Sequence, residues 1–222
     1  SQIKFMQEMD ARDKPMTKLQ AEKYGKALWA SKNPELPAGA KTYCENWLKQ
    51  ELYGQRIEFS NKYTKKGWDV EDESIKYLGD YEKNEEYFEN DYLCGTPDII
   101  TEDMIRDVKN SYDYSTFPLF ETKLPTKDYE YQVQGYMVLT GKTKGSVDYM
   151  LMDTPDDDSL TYNHLGRPLR IKSFPIERDN DFMFEVVKRV NMCREYIETM
   201  LTPEMVSSMC EVPSVFSDDE TI

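Results

Sequence analysis

GTPDIITEDMIRDVKN, residues 95–110, reads as two short strands joined by the polar turn TEDM. With the preceding EYFENDYLC, rich in Tyr and Phe, it predicts consecutive strands of a meander. In the later strand Asp107 and Lys109 flank Val108, and side chains two apart on a strand project from the same face. An acid and an amine therefore point together. Asp98 stands nine positions before Asp107 on the neighbouring strand, so antiparallel pairing brings the two carboxylates side by side. Carboxylates at that range repel, and each becomes a weaker acid unless positive charge sits between them. A divalent cation suits the gap. Mg²⁺ prefers hard oxygen ligands, accepts one or two carboxylates, and keeps several waters, which leaves positions for a phosphate oxygen and a nucleophilic water.

Upstream, a helix is predicted from near Gly67 to a stop at Gly79, with Trp68, Glu71, Ile75 and Leu78 on one stripe. A carboxylate in an apolar stripe is costly unless it is paired or holds an ion, whereas Asp72 and Glu73 project elsewhere and stay solvated. Glu71, rather than Glu73, is thus the expected third acid. Downstream, Val133, Tyr136 and Met137 recur at helical spacing between Lys127 and Thr140, and Gly141 ends that helix. In it Gln132, flanked by Tyr129 and Tyr136, presents an amide toward the same end of the sheet. VDYMLM, residues 147–152, suits a buried strand, and a long helix is expected from about Asp179 to Leu201 with Phe182, Val186, Val190, Cys193 and Ile197 on one stripe. Nearer the start, Thr17 caps a helix running to about Ala30, PELPAG breaks it, and KTYCENWLKQELY is closed by Gly54. This order of elements implies an α/β or α+β fold around a mixed sheet flanked by helices. One domain over residues 1–222 is the simplest organisation: a helical N-terminal region to about 65, a core of about 66–201, and a tail of 202–222.

Composition narrows the chemistry. A chain of 222 residues with 39% hydrophobic and 13% aromatic content is long and apolar enough to bury a core without disulfides. No run approaches the roughly 18 apolar residues of a membrane span, and the N-terminal stretch is not apolar, so a soluble, cytoplasmic protein is expected. Cys44, Cys94, Cys193 and Cys210 form no CxxC pair, which argues against zinc or iron–sulfur sites. A single histidine, His164 in the polar stretch TYNHLGRP, reads as a loop residue and leaves Ser-His-Asp hydrolysis little to work with. Hydrolysis here would have to come from carboxylates, lysine and a bound ion.

In a chain with 42 acidic residues one DxK and one upstream Asp arise readily by chance. Their order carries more: helix acid, strand Asp, strand DxK, helix glutamine. GTPD followed by DVK resembles the PD-(D/E)XK nuclease superfamily. KGWDVED and YQVQGYMVLTGK are similar to its lambda exonuclease-like branch, also called YqaJ-type viral recombinases. The likeness spans about residues 60–150, with Gly67 four residues before Glu71 and QVQ at Gln132–Gln134 after the DxK strand; Asp107 stands where many relatives have Glu. The resemblance implies a restriction-endonuclease-like core in which Asp98 and Asp107 hold Mg²⁺, for which Mn²⁺ would substitute. The Val108 carbonyl is implied as a further ligand, and Glu71 joins directly or through water. Lys109 would orient and help deprotonate the attacking water and stabilise the developing phosphorane charge, while Gln132 positions water or phosphate. The implied activity is hydrolysis of linear duplex DNA by an exonuclease of phage-type recombination, working with a single-strand annealing protein. A ring-shaped homotrimer is the assembly the resemblance allows.

The charge balance opposes DNA binding: 28 Lys and Arg against 42 Asp and Glu give a formal net charge of −14. A local basic rim would answer this, and Lys62, Lys65 and Lys66 before the helix with Lys123 and Lys127 after the DxK strand bracket the acids in sequence. Two other readings stand beside the exonuclease. One is a RecB-like or restriction-type endonuclease. The other is a non-catalytic acidic protein that mimics DNA toward a basic partner.

Overall fold

Two apolar layers, one on each side of a four-stranded sheet, organise the part of the chain that carries the acids. The structure is a computed structural model describing residues 2–12, 14–32, 35–57, 61–155 and 157–211. It divides into two compact units, one of residues 1–56 with 188–222 and the other of residues 57–187. Glu71, Asp98, Asp107, Lys109 and Gln132 all lie in the second unit.

In the first unit, helices α1 (Gln2–Asp10) and α2 (Lys18–Lys32) are joined by the Tyr24 hydroxyl donating to Asp10 (2.6 Å) and Arg12 donating to the Gln20 amide oxygen (2.9 Å). Thr17 precedes α2 as expected, its hydroxyl accepting from the Gln20 N–H at 3.3 Å. Helix α3 (Ala38–Tyr53) ends at Gly54, whose left-handed φ of 59° returns the chain. Cys44 and Leu48 are its buried residues.

The second unit begins with a departure from expectation. In place of one helix starting near Gly67 there are two, α4 (Lys62–Asp69) and α5 (Glu71–Leu78), separated at Val70. A capping box between Asn61 and Thr64 starts α4 early, and Val70, with ψ of 5°, interrupts it. The continuous stripe is therefore broken: Ile75 and Leu78 are buried, whereas Trp68 faces solvent. Glu71 becomes the first residue of α5, where three successive acids face the positive end of the helix dipole.

The strands follow. β1 (Phe88–Glu89) and β2 (Cys94–Gly95) make a separate hairpin, so only the later part of the expected meander enters the main sheet. That sheet has the order β3-β4-β5-β6, from β3 (Ile99–Ile100), β4 (Met104–Asn110), β5 (Lys144–Met150) and β6 (Ile171–Glu177). β3 and β6 run antiparallel to their neighbours, while β4 and β5 are parallel and connected through α6 (Lys127–Thr140). The sheet is mixed, as expected. α6 ends at Gly141 in the left-handed region. β6 was not expected: Pro175 sits within it, tolerated because the strand lies at the sheet edge.

Alternation along β4 sorts its residues between the layers. Ile105 packs with Val133 and Met137 of α6 and with Val147, Tyr149 and Phe174. Val108 packs on the opposite side with Ile75, Leu78, Ile99, Met150 and Met152. α6 approaches closely because Gly145 has no side chain; a Cβ there would lie 2.6 Å from Val133. On the α5 side a buried pair closes the layer, Arg106 meeting Asp148 through two 2.8 Å bonds and the Tyr81 hydroxyl at 2.6 Å.

α7 (Phe182–Met200) follows the long helix expected over 179–201, and its stripe residues are half-buried. In the expected tail, residues 203–211 form α8, and residues 212–222 lie outside the described residues. Among the described residues no helix is long and apolar enough to cross a membrane.

Candidate active site

The β3–β4 register pairs Ile99 with Arg106 and Ile100 with Ile105, and one step further Asp98 stands opposite Asp107. The short turn allows this: the Thr101 hydroxyl accepts the Met104 N–H at 3.1 Å and its own N–H donates to the Met104 carbonyl at 2.9 Å. An Asp98 oxygen accepts the Val108 N–H at 2.6 Å, tying the carboxylate to the backbone between Asp107 and Lys109.

Asp107 is fully buried. The Lys109 ammonium lies 2.9 Å from its Oδ2 and 3.1 Å from its Oδ1. Oδ2 nevertheless lacks a well-directed hydrogen bond. Its ion-pair contact supplies charge but not the donor direction that would satisfy a buried lone pair. The Lys109 ammonium also lies 4.9 Å from the centre of the Tyr129 ring, so one face of the amine is covered by α6.

Electrostatics follow from this crowding. Burial, then the neighbouring Asp107 charge, push the Asp98 carboxyl up to about 7, against the opposing pull of the Val108 N–H and Lys109. Burial also raises Asp107, with the Asp148 and Glu71 charges adding to it and Lys109 working the other way. For Lys109, burial disfavours the charge but is outweighed by Asp107 and Asp98, and the ammonium is held above its ordinary value. Two carboxyls that are poor acids, beside a lysine that stays protonated, mark a place short of positive charge.

Glu71 is close enough for its charge to raise both aspartates, but its carboxylate is engaged: the Lys83 ammonium lies 3.1 Å from it and 3.2 Å from Asp72. The bond to Glu71 raises Lys83 in turn. Among the described residues no group of three or more His, Cys, Asp or Glu stands ready to hold a metal ion. The expected trio is thus two carboxylates together and a third held by a lysine. Gln132 donates to the Tyr136 hydroxyl at 2.9 Å. That hydroxyl is raised by burial and by the Asp107 and Asp98 charges, which places the Gln132–Tyr136 pair beside the acids. Gly95 leaves room for the Tyr136 ring, which a Cβ would meet at 2.6 Å.

The proposed rim needs one correction. Lys62, Lys65, Lys123 and Lys127 are exposed, but Lys66 is buried, and its ammonium donates to the carbonyls of Ser111 (2.9 Å), Tyr112 (2.8 Å) and Met152 (2.7 Å). Because α4 begins at Lys62, Lys66 turns inward and joins the ends of β4 and β5. It is a structural clamp, not a phosphate ligand. Burial lowers it to about 8, opposed by the Asp113 and Asp153 charges. Lys62 lies over the rings of Tyr63 (5.1 Å) and Tyr112 (4.6 Å). His164 is exposed, in keeping with its loop reading.

Sequence reasoning missed Lys83 and Asn84. Asn84 pins the loop after α5 to the segment that carries Asp98, its N–H donating to the Asp98 carbonyl (2.8 Å) and its amide to the Pro97 carbonyl (2.9 Å). No local motif announces this contact, which spans over ten residues. The buried Arg106–Asp148 pair was also missed. Its signal was present: an acid in the middle of the apolar run VDYMLM requires a partner.

This arrangement of sheet, DxK strand and flanking helices is a fold shared with solved exonucleases. Among solved structures, the chain is similar to a phage-related exonuclease from Haemophilus somnus 129PT, with a TM-score of 0.71 and 26% identity over 92% of this chain and 93% of that one. It shares its fold with an alkaline exonuclease from Laribacter hongkongensis, at a TM-score of 0.59 and 17% identity over 78% of this chain and 84% of that one. The same holds for that enzyme in complex with dAMP, at 0.59 and 19% identity over 77% and 84%. No protein-family model and no curated protein matches the sequence.

Proposed function

We propose that this chain is a metal-dependent DNA exonuclease that hydrolyses phosphodiester bonds of linear duplex DNA, with Mg²⁺ as its natural ion and a place in phage-type recombination. The observation that carries the reading is the pairing of Asp98 with Asp107 beside Lys109, within a fold shared with exonucleases. The donor set fits a hard divalent cation. It offers carboxylate oxygens, one of them buried without a directed donor, and both acids are weakened by burial and like charge that a cation would offset. Asp98 and Asp107 would hold the ion, with the Val108 carbonyl and Glu71 as further ligands. A bound Mg²⁺ supplies Lewis-acid charge to the scissile phosphate.

The chain's own residues do the rest. Asp107 fixes the Lys109 ammonium, and Tyr129 covers it, so Lys109 presents its charge and remaining N–H donors in one direction. Lys109 would orient and help deprotonate the attacking water and stabilise charge developing on phosphate. Gln132, set by Tyr136, positions water or a phosphate oxygen. The exposed Lys62, Lys65, Lys123 and Lys127 offer local positive charge on an acidic chain.

The DNA-mimic alternative is disfavoured because it needs its acids on the surface, whereas Asp107 is fully buried. Digestion of end-labelled linear duplex DNA with Mg²⁺ tests the proposal. Lys109→Met should slow it by about 10²-fold or more, the scale of losing one preorganised charge donor. Equal digestion by the variant, or none by the parent with Mg²⁺ or Mn²⁺, would refute it. Preferential cutting of covalently closed circles would favour an endonuclease.

A further inference from the structure

We infer that Lys83 is a positioning residue that holds Glu71 in reserve and competes with the metal ion for it. The inference rests on the metal-dependent reading above and concerns a residue outside the PD and DxK motifs. Each of the three acids already has a partner: Asp98 the Val108 N–H, Asp107 the Lys109 ammonium, and Glu71 the Lys83 ammonium at 3.1 Å. The Val108 N–H engages one Asp98 oxygen, and the Lys109 ammonium lies 2.9 and 3.1 Å from the two Asp107 oxygens. The third partner draws its carboxylate into a pair shared with Asp72, and among the described residues no trio of acids is assembled for an ion.

Lys83 does not meet Glu71 by the chance sweep of a long side chain. The residue after it, Asn84, is bonded to the carbonyls of both Pro97 and Asp98, so the backbone that carries the ammonium is anchored to the segment that carries a metal-binding acid. The lysine is built into the site's margin. A cation entering between Asp98 and Asp107 recruits Glu71 only by breaking the Lys83 pair, and it meets the repulsion of a nearby positive charge as it does so. Lys83 therefore lowers metal affinity while keeping Glu71 paired when no ion is bound.

The test is Mn²⁺ binding to the full chain by calorimetry, without DNA. Lys83→Met should raise Mn²⁺ affinity by roughly two- to fivefold, the scale of a partly exposed ion pair. Lys83→Arg, which keeps the charge, should bind as the parent does. In a Glu71→Gln background the gain from Lys83→Met should largely disappear, because the lysine acts through that carboxylate. Thermal melts of the metal-free variants confirm that they are folded. Unchanged or weaker binding by Lys83→Met, in a parent that does bind Mn²⁺, overturns this inference and leaves the nuclease reading standing. No Mn²⁺ binding by any folded variant overturns both.

Discussion

Asp98→Asn should make the metal-free chain more stable at pH 8, and the gain should vanish in acid. Burial, and next the charge of neighbouring Asp107, push the Asp98 carboxyl from 3.8 up to about 7. The folded state therefore binds that proton more tightly than the unfolded chain does. Linkage fixes the sign: the associated stability is fully present below about pH 4, falls as pH rises, and is lost above about 7. A displacement of about three pH units corresponds to up to roughly 4 kcal/mol, at about 1.36 kcal/mol per unit. Asp98 and Asp107 titrate as a pair, so the loss belongs to both and 2–4 kcal/mol is the working range, roughly. An amide removes one member while still offering an oxygen to the Val108 N–H. Urea unfolding of chelator-treated protein between pH 4 and 8 measures this directly. The variant should exceed the parent by about 2 kcal/mol or more at pH 8 and converge with it near pH 4, and Mg²⁺ at pH 8 should shrink the gap by binding the parent. Parallel pH profiles, or a variant less stable than the parent at pH 8, would refute the claim that these acids strain the metal-free fold.

Other consequences separate structure from chemistry. Lys66→Met should cost about 2 kcal/mol at pH 7 in denaturant unfolding, since three carbonyls lose their donor. Because Lys66 is held to about 8, below its ordinary 10.5, the unfolded chain binds that proton more tightly; the parent's advantage should widen between these values as pH rises. Gly95→Ala drives a methyl against the Tyr136 ring and should cost about 1–3 kcal/mol, read by thermal melting, with slower DNA digestion as Gln132 loses its support. Replacing Lys123 and Lys127 with Gln should reduce the salt dependence of duplex DNA binding by about two phosphate contacts, whereas the buried Lys66 should contribute none.

The site was readable where geometry is local. Asp107 and Lys109 share a face because strand periodicity is two, and a four-residue turn left few registers by which Asp98 could miss Asp107. α6 was equally plain, since apolar spacing and Gly141 agree. What sequence concealed depends on where helices begin and on contacts far along the chain. The Asn61–Thr64 capping box and the break at Val70 reset the helical phase, which turned Trp68 outward and Lys66 inward. The same break leaves Glu71 beside the site but at a helix start, where Lys83 reaches it from a loop that carries no motif. β6 was hidden by Pro175, which would argue against a central strand but not against an edge. The lysines between Asn61 and Gly67 look alike in sequence; only the three-dimensional path separates the clamp from the rim.

The measurement closest to the core of this account is anomalous scattering from a crystal grown with Mn²⁺. A single strong peak within about 2–2.6 Å of carboxylate oxygens from both Asp98 and Asp107 is the predicted result. A fully soaked crystal with no peak there, or with manganese only on surface acids, would contradict it.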